Sequence, residues 1–93
     1  MGDEIVAILQ DLGFETQNNE RVVQGVIVLK NDIGFTIFID VKSKIVELSH
    51  SHLFVSGFLL KRQRYSSPLD LKDMLMKNEV FTHYVSSILL ANP

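Results

Sequence analysis

The sequence predicts a single α+β domain over residues 1–93. We expect an N-terminal helix, an antiparallel meander sheet of three to four strands, and one kinked or two short C-terminal helices packed on one face of that sheet. Three observations predict this arrangement. Apolar residues recur at helical spacing near both chain ends, they alternate with a period of two in the middle, and turn residues separate these segments at short intervals. A chain of 93 residues has room for one hydrophobic core.

The first helix is predicted near the N-terminus, where four apolar residues share one helical face: Ile5, Ile8, Leu9 and Leu12. Gly13 follows at the position where helices commonly end in the left-handed conformation. Phe14 is then expected to fold back on Leu9, the contact that accompanies this kind of helix end.

The middle of the chain predicts the sheet. Val22–Lys30 is apolar on both faces, which indicates a strand with one covered face and one exposed apolar face, or a strand covered on both sides. Phe35–Lys42 alternates most clearly, and its odd-numbered residues are expected to point at the helices. Ile45–Ser49 predicts a shorter strand. Leu53–Leu60 reads as a fourth strand, although so short an apolar run also fits a turn of helix.

Polar segments separate these elements. Glu15–Arg21 is polar, with a turn predicted at Asn18-Asn19. Asn31–Gly34 is predicted to connect the first two strands as a hairpin, because Gly34 tolerates positive φ. Ser49–His52 predicts a further turn.

The C-terminal helices begin after a recognisable start signal: Ser67 as the cap, Pro68 at the first helical position and Asp70 three residues after the cap. Asn78 is expected to break or kink the helical region. Apolar residues continue on either side at helical spacing: Leu71, Met74, Leu75, Phe81, Tyr84, Val85, Ile88 and Leu89. We expect both terminal helical regions to cover Phe35, Ile37 and Ile39.

A helix that ends in Leu12-Gly13 and is followed by a three-strand meander is similar to the opening of the small chaperone-like folds that hold secretion effectors in bacteria. The likeness covers about residues 5–49 and includes no diagnostic motif. The predicted fourth strand departs from that pattern, so the resemblance implies a shape and no family.

Composition excludes several kinds of chemistry. The chain has no cysteine, which rules out disulfides, thiol catalysis and Cys-ligated zinc or iron–sulfur sites. No apolar run approaches the ~20 residues that span a bilayer, and the acidic start is unlike a signal peptide, so we expect a cytoplasmic protein without a membrane partner. The net charge of −2 is unevenly distributed: residues 1–20 carry five acids and no base, whereas residues 21–64 carry seven bases and three acids.

The segment Lys61, Arg62, Arg64 and Tyr65 places three cations beside an aromatic ring. Cations for phosphates next to a stacking surface are typical of single-stranded nucleic-acid sites, and Lys42 and Lys44 could extend the patch. Two other interpretations stay open. The charges could protect a sheet edge from aggregation, or the arginines could anchor a protein interface.

Phe38 is hard to place in the predicted core. On the face away from the helices it would join Thr36 and one face of the first strand in an exposed apolar patch, which normally marks an interface. The alternative is that the last helix or the Leu53–Leu60 segment covers it. Phe54 and Phe58 are equally hard to place in one core.

Metal binding and catalysis have weak signals. His50 and His52, joined by His83, have nitrogens for zinc or nickel, but solvated turn histidines explain the same spacing, and titration as a pH sensor is a third reading. Asp40 and Glu47 could face each other across a hairpin as an acid–base pair, yet simple surface charges are the better interpretation. No phosphate loop, nucleophile elbow or metal motif is present. We therefore expect no enzyme, no metal and no cofactor.

These observations predict a small binding protein that docks on another protein through Phe38, Lys61, Arg62, Arg64 and Tyr65. Inhibitors, immunity proteins, phage-type anti-defence proteins and chaperone-like adaptors all have this character. A homodimer through the same apolar surface is a further expectation. The alternative function is single-stranded nucleic-acid binding through residues 61–65.

Overall fold

The computed structural model describes residues 2–28, 33–52 and 55–91, and it describes side chains at 2–28, 33–50 and 59–85. The predicted α+β class is confirmed, with five strands instead of three to four. The elements follow in this order: α1 (Gly2–Asp11), β1 (Glu15–Asn18), β2 (Val22–Val28), β3 (Ile33–Asp40), β4 (Ile45–His52), β5 (Val55–Arg64), α2 (Pro68–Lys77) and α3 (Glu79–Ala91).

The sheet is an antiparallel meander in which each strand pairs with the next one in the sequence. The unpredicted strand is β1. Its four residues are all polar, and none of them is buried, so this edge strand has no alternation of apolar residues. The hairpin to β2 is closed by Asn19, whose Oδ1 accepts hydrogen bonds from the backbone N–H groups of Arg21 and Val22 at 2.9 Å each.

The β4–β5 pair is longer than predicted. His52 lies opposite Val55, so the segment Ser49–His52 continues β4, and the predicted turn there is wrong. β5 continues past Leu60 to Arg64. Its charged residues can stay paired with β4, because long charged side chains on an edge strand still reach solvent. Residues 53–54, and with them Phe54, lie outside the described residues, as does the side chain of Phe58.

The predicted helix ends are confirmed. Gly13 has a φ of 98°, and the Phe14 N–H donates to the Leu9 carbonyl at 2.9 Å, which closes α1 as a Schellman motif. Ser67 caps α2, with its Oγ accepting from the Asp70 N–H at 3.4 Å. Asn78 then separates α2 from α3.

Asn78 performs two capping tasks at once. Its N–H donates to the Leu75 carbonyl at 3.2 Å, and its Oδ1 accepts from the Phe81 N–H at 3.0 Å. The first bond ends α2 and the second begins α3. The C-terminal region is therefore two short helices, one of the two predicted forms.

The core lies between the sheet and all three helices. Phe35, Ile37 and Ile39 are fully buried, as predicted, beneath helical residues from both ends of the chain. Phe81 of α3 packs between two other rings, with centroid distances of 5.7 Å to Phe14 and 5.3 Å to Phe35. The helices therefore cover a single face of the sheet. No helix in the described ranges is long and apolar enough to cross a membrane.

Candidate docking surface

The face of the sheet opposite the helices carries exposed apolar side chains. We call it the outer face and define it by these described residues: Gln24, Val26, Val28, Thr36, Phe38, Glu47, Ser49, Leu59 and Arg62. Phe38 is 43% exposed while its neighbours in β3, Ile37 and Ile39, are fully buried. Of the two positions that the sequence left open for Phe38, the structure shows the exposed one, on the face away from the helices.

Strand register arranges the outer face in cross-strand rows. One row runs across all five strands with Phe38 at its middle: Gln17, Gln24, Phe38, Glu47 and Arg62. The neighbouring row is Glu15, Val26, Thr36, Ser49 and Leu59. Leu59 is 53% exposed and Val28, near the end of β2, is 66% exposed. The surface thus has a central aromatic ring with polar cross-strand neighbours, Gln24 and Glu47, and its exposed aliphatic side chains lie in the next row and toward the ends and edge of the sheet.

Two ion pairs lie on or beside this face. Arg62 Nε lies 3.0 Å from Glu47 Oε1, and Arg21 Nε lies 3.2 Å from Asp40 Oδ2. Asp40 also accepts hydrogen bonds from the N–H groups of Lys42 and Ser43 in the turn after β3. The Ser43 bond is the largest of the effects that lower the pKa of the Asp40 carboxyl; partial burial opposes them, and the Lys42 and Arg21 bonds add to the lowering.

Asp40 and Glu47 do not face each other across the hairpin, so they do not form an acid–base pair. Asp40 lies opposite Ile45, whereas Glu47 lies opposite Phe38. Each carboxylate instead binds an arginine, Asp40 with Arg21 and Glu47 with Arg62. Both carboxylates therefore stabilise a turn or a cross-strand contact.

The predicted basic–aromatic segment is divided by strand alternation. Arg62 and Arg64 lie on the outer side of β5, opposite Glu47 and Ile45. Lys61 lies opposite the buried Leu48 and hence on the helix side of the sheet. The three cations do not form one patch.

Tyr65 is 8% exposed and belongs to the core, which corrects the prediction of an exposed stacking ring. Its N–H donates to the Lys44 carbonyl at 3.0 Å, so the residue continues the β5 ladder toward the turn after β3. Burial raises the pKa of the Tyr65 hydroxyl above its ordinary value, and the negative charge of Asp40 adds to this effect.

The histidines do not form the predicted turn. His50 lies in β4 opposite Phe35, on the helix side, with its ring 4.8 Å from that of Phe35 and stacked on Tyr84 at 5.7 Å. His83 contacts Tyr84 edge-on at 5.2 Å. The side chain of His52 lies outside the described residues. Among the side chains that are described, no three His, Asp or Glu residues are grouped to hold a metal ion.

Two concave regions lie elsewhere on the protein. A groove of about 630 Å³ runs between β5 and the α2–α3 region, lined by Leu60, Lys61, Gln63, Asp70, Asp73, Met74, Lys77, Asn78, Glu79 and Val80. A second depression of about 480 Å³ lies beside Tyr65 and the start of α1. Both are lined by mixed apolar and charged residues.

The sequence predicted that Phe38 joins one face of the first strand in this surface, without deciding which face, and it did not include Leu59. Both faces of β2 are apolar, so the sequence alone did not decide which face is exposed. The register places its even-numbered residues on the outer face. Comparisons with protein-family models, with curated proteins and with solved structures found no match.

Proposed function

We propose that this protein is a small binding module that docks on another protein through the outer face and carries out no chemistry of its own. The observation that carries the proposal is the position of Phe38. It stands on the central strand and is 43% exposed, whereas Ile37 and Ile39 on either side of it are fully buried under the helices. Several exposed apolar side chains on one face of a sheet are typical of protein interfaces.

The dimensions of the surface support a protein partner. Five strands spaced about 4.8 Å apart and about seven residues long give a face of roughly 550 Å² before side-chain relief is counted. Standard protein interfaces bury about 800 Å² on each partner, which is the same order of size. An aromatic ring at the centre and an arginine at the margin are the residue types enriched where binding energy concentrates.

Single-stranded nucleic-acid binding receives less support. The ring of Tyr65 is buried, Arg62 is paired with Glu47, and Lys61 lies on the other side of β5. A salt titration with labelled single-stranded oligonucleotides separates the two functions. Counterion release predicts affinity that falls about one power of salt concentration for each phosphate neutralised. Tight binding with that salt dependence would replace protein docking as the proposed function.

A matched pair of variants tests the outer face. Phe38→Asp places a charge at its centre, and Leu69→Asp places the same charge on a side chain of α2 that is 68% exposed. Each variant and the wild type serve as bait in cells of the native host, with chemical cross-linking and mass spectrometry. We expect proteins bound by the wild type and by Leu69→Asp to be lost with Phe38→Asp, and cross-links to map to the outer face.

Thermal melts accompany this experiment, because unfolding would also abolish docking. Phe38→Asp is expected to melt within a few degrees of the wild type, since its side chain is already partly in water. Partners that bind all three proteins equally, or cross-links that map to the helices, would contradict the proposal. Sedimentation of the purified protein identifies a second copy as the occupant if it dimerises and Phe38→Asp is monomeric.

A further inference from the structure

The two edges of the sheet differ in length and chemistry. β1 forms one edge with four residues, whereas β5 forms the other with ten. An edge strand offers a row of main-chain donors and acceptors on its open side, to which an extended peptide can add as a further strand. In the part of the chain that the structure describes, no strand pairs with β5 on the side away from β4.

The ladder identifies which main-chain groups β5 presents. Tyr65 donates its N–H toward β4, to the Lys44 carbonyl. In an antiparallel pair, residues alternate between those that bond to the neighbouring strand and those whose N–H and C=O groups point away from it. Register is regular from Tyr65 back to Lys61, so Arg62 and Arg64 direct their main-chain groups to the open side.

The groove beside this edge supplies room for side chains. It is bounded on the sheet side by Lys61 and Gln63 and on the helix side by residues of α2 and the start of α3. A strand added to β5 would point every second side chain into the groove, because neighbouring strands share the phase of their side chains. Leu60, Met74 and Val80 give the groove apolar walls for those side chains.

The positive charge of β5 favours acidic residues at those positions of an added strand that do not point into the groove. Lys61, Arg62 and Arg64 stand within four residues of β5, and within the described residues Glu47 is the sole carboxylate that forms an ion pair with any of them. Ile45 lies opposite Arg64. A carboxylate on an added strand would stand beside Arg64 at a cross-strand position, where opposite charges attract.

We propose that the β5 edge is a strand-addition site for an extended segment of a partner protein, with acidic residues beside Arg62 and Arg64 alternating with apolar residues that enter the groove. The site adjoins the outer face at Arg62 and differs from it in how it binds. Its main contacts are main-chain hydrogen bonds along the edge of β5, whereas docking at the outer face uses side chains around Phe38.

A designed peptide tests this site directly. The probe is a blocked, fluorescent peptide of five Val-Glu repeats, and its charge-reversed control is five Val-Lys repeats. We expect the Val-Glu peptide to bind at least about ten-fold more tightly, and its binding to shift the amide signals of Arg62 and Arg64 and slow their hydrogen exchange. Equal binding of the two peptides, absence of binding, or shifts confined to other strands would overturn the proposal.

Proline substitution separates the main chain from the side chain. Arg62→Pro removes an N–H that points away from β4, and Arg62→Ala removes the same charge but keeps that N–H. We expect the proline variant to bind the Val-Glu peptide about ten-fold more weakly than the alanine variant, the loss associated with about one hydrogen bond. Equal affinity of the two variants would overturn the strand-addition geometry.

Methylated peptides keep the test valid if Arg62→Pro fails to fold. Methylating the peptide nitrogens one at a time is expected to weaken binding to the wild type at alternate positions, because only every second N–H would face β5. Uniform effects along the peptide would contradict the proposal. Phe38→Asp is expected to bind the Val-Glu peptide as the wild type does, so a failure of outer-face docking is distinguishable from a failure at this edge.

Discussion

Two phenylalanines on β3, three residues apart, occupy opposite sides of the sheet. Phe35 is fully buried between β4 and α3, with its ring 5.3 Å from Phe81 and 6.0 Å from Tyr84. Phe38 is 43% exposed between Gln24 and Glu47. The same residue type therefore belongs to the core or to a candidate interface according to strand phase alone. The face toward the helices, which we call the inner face, holds the fold together, whereas the outer face stays partly exposed to solvent.

Replacing each of the two phenylalanines with alanine should give the largest difference in the free energy of unfolding. We expect Phe35→Ala to lower the free energy of unfolding by about 3–5 kcal/mol, since it leaves a cavity under α3. Phe38→Ala should lower it by about 1 kcal/mol or less, because much of that ring is already in water. Urea denaturation of both variants measures the difference. Similar losses for the two would mean that the outer face is packed in solution.

Gly25 tests how closely the inner face is packed. A Cβ at this position would stand 2.9 Å from Ile37 Cγ2 and 3.1 Å from Phe14 Cδ1, both in the core. We expect Gly25→Ala to lower the free energy of unfolding by about 1–3 kcal/mol, because two packed side chains must move. Gln24→Ala, one residue away on the outer face, should change it by less than about 0.5 kcal/mol. An unchanged free energy of unfolding in Gly25→Ala would show that the neighbouring core side chains can move aside at little cost.

Much of the fold could be predicted because local and long-range preferences agree. The alternation in β3, the glycine after α1 and the Ser67-Pro68 start of α2 each use residues whose chemistry permits few other structures. Asn78 is a similar case, since its side chain caps α3 after its backbone has ended α2. These features depend on neighbours within a few residues, which a sequence displays directly.

The misses all depend on pairing between strands, which the composition of a single segment does not display. β1 is polar and becomes a strand because β2 provides a ladder for it. The composition of Ser49–His52 is typical of a turn, and that of Lys61–Arg64 is strongly charged. Both segments are nevertheless extended, because β4 and β5 pair with each other there. Tyr65 follows three cations and yet is buried, since the ladder continues to Lys44 and carries the ring to the helix side. The candidate surface was found only in part for the same reason, because register decides which side chains share a face.

The burial of Tyr65 should appear as alkaline sensitivity. Its hydroxyl has a raised pKa in the folded protein because burial disfavours the charged form. The folded state therefore holds its proton at pH values where the unfolded chain has released it. The contribution of this group to the free energy of unfolding is fully present below about pH 10. Above that pH it decreases by at most about 1.4 kcal/mol per pH unit.

Tyr65→Phe removes this titration and keeps the ring. We expect the melting temperature of the wild type to fall more steeply than that of Tyr65→Phe between about pH 10 and 11. Thermal melts followed by circular dichroism measure both slopes. Equal slopes for the two proteins would mean that the Tyr65 hydroxyl reaches solvent in the folded protein.

The smallest expected effect concerns the ion pair on the outer face. Arg62 and Glu47 are both substantially exposed, and an exposed pair gains little because water and salt screen it. A double-mutant cycle with Arg62→Gln and Glu47→Gln should give a coupling energy of about 0.2–1 kcal/mol that shrinks in 1 M salt. A coupling well above that range would make the row through Phe38 part of what stabilises the fold. A weak coupling leaves the row free to exchange its internal ion pair for contacts with a partner, as expected of a surface that folding does not need.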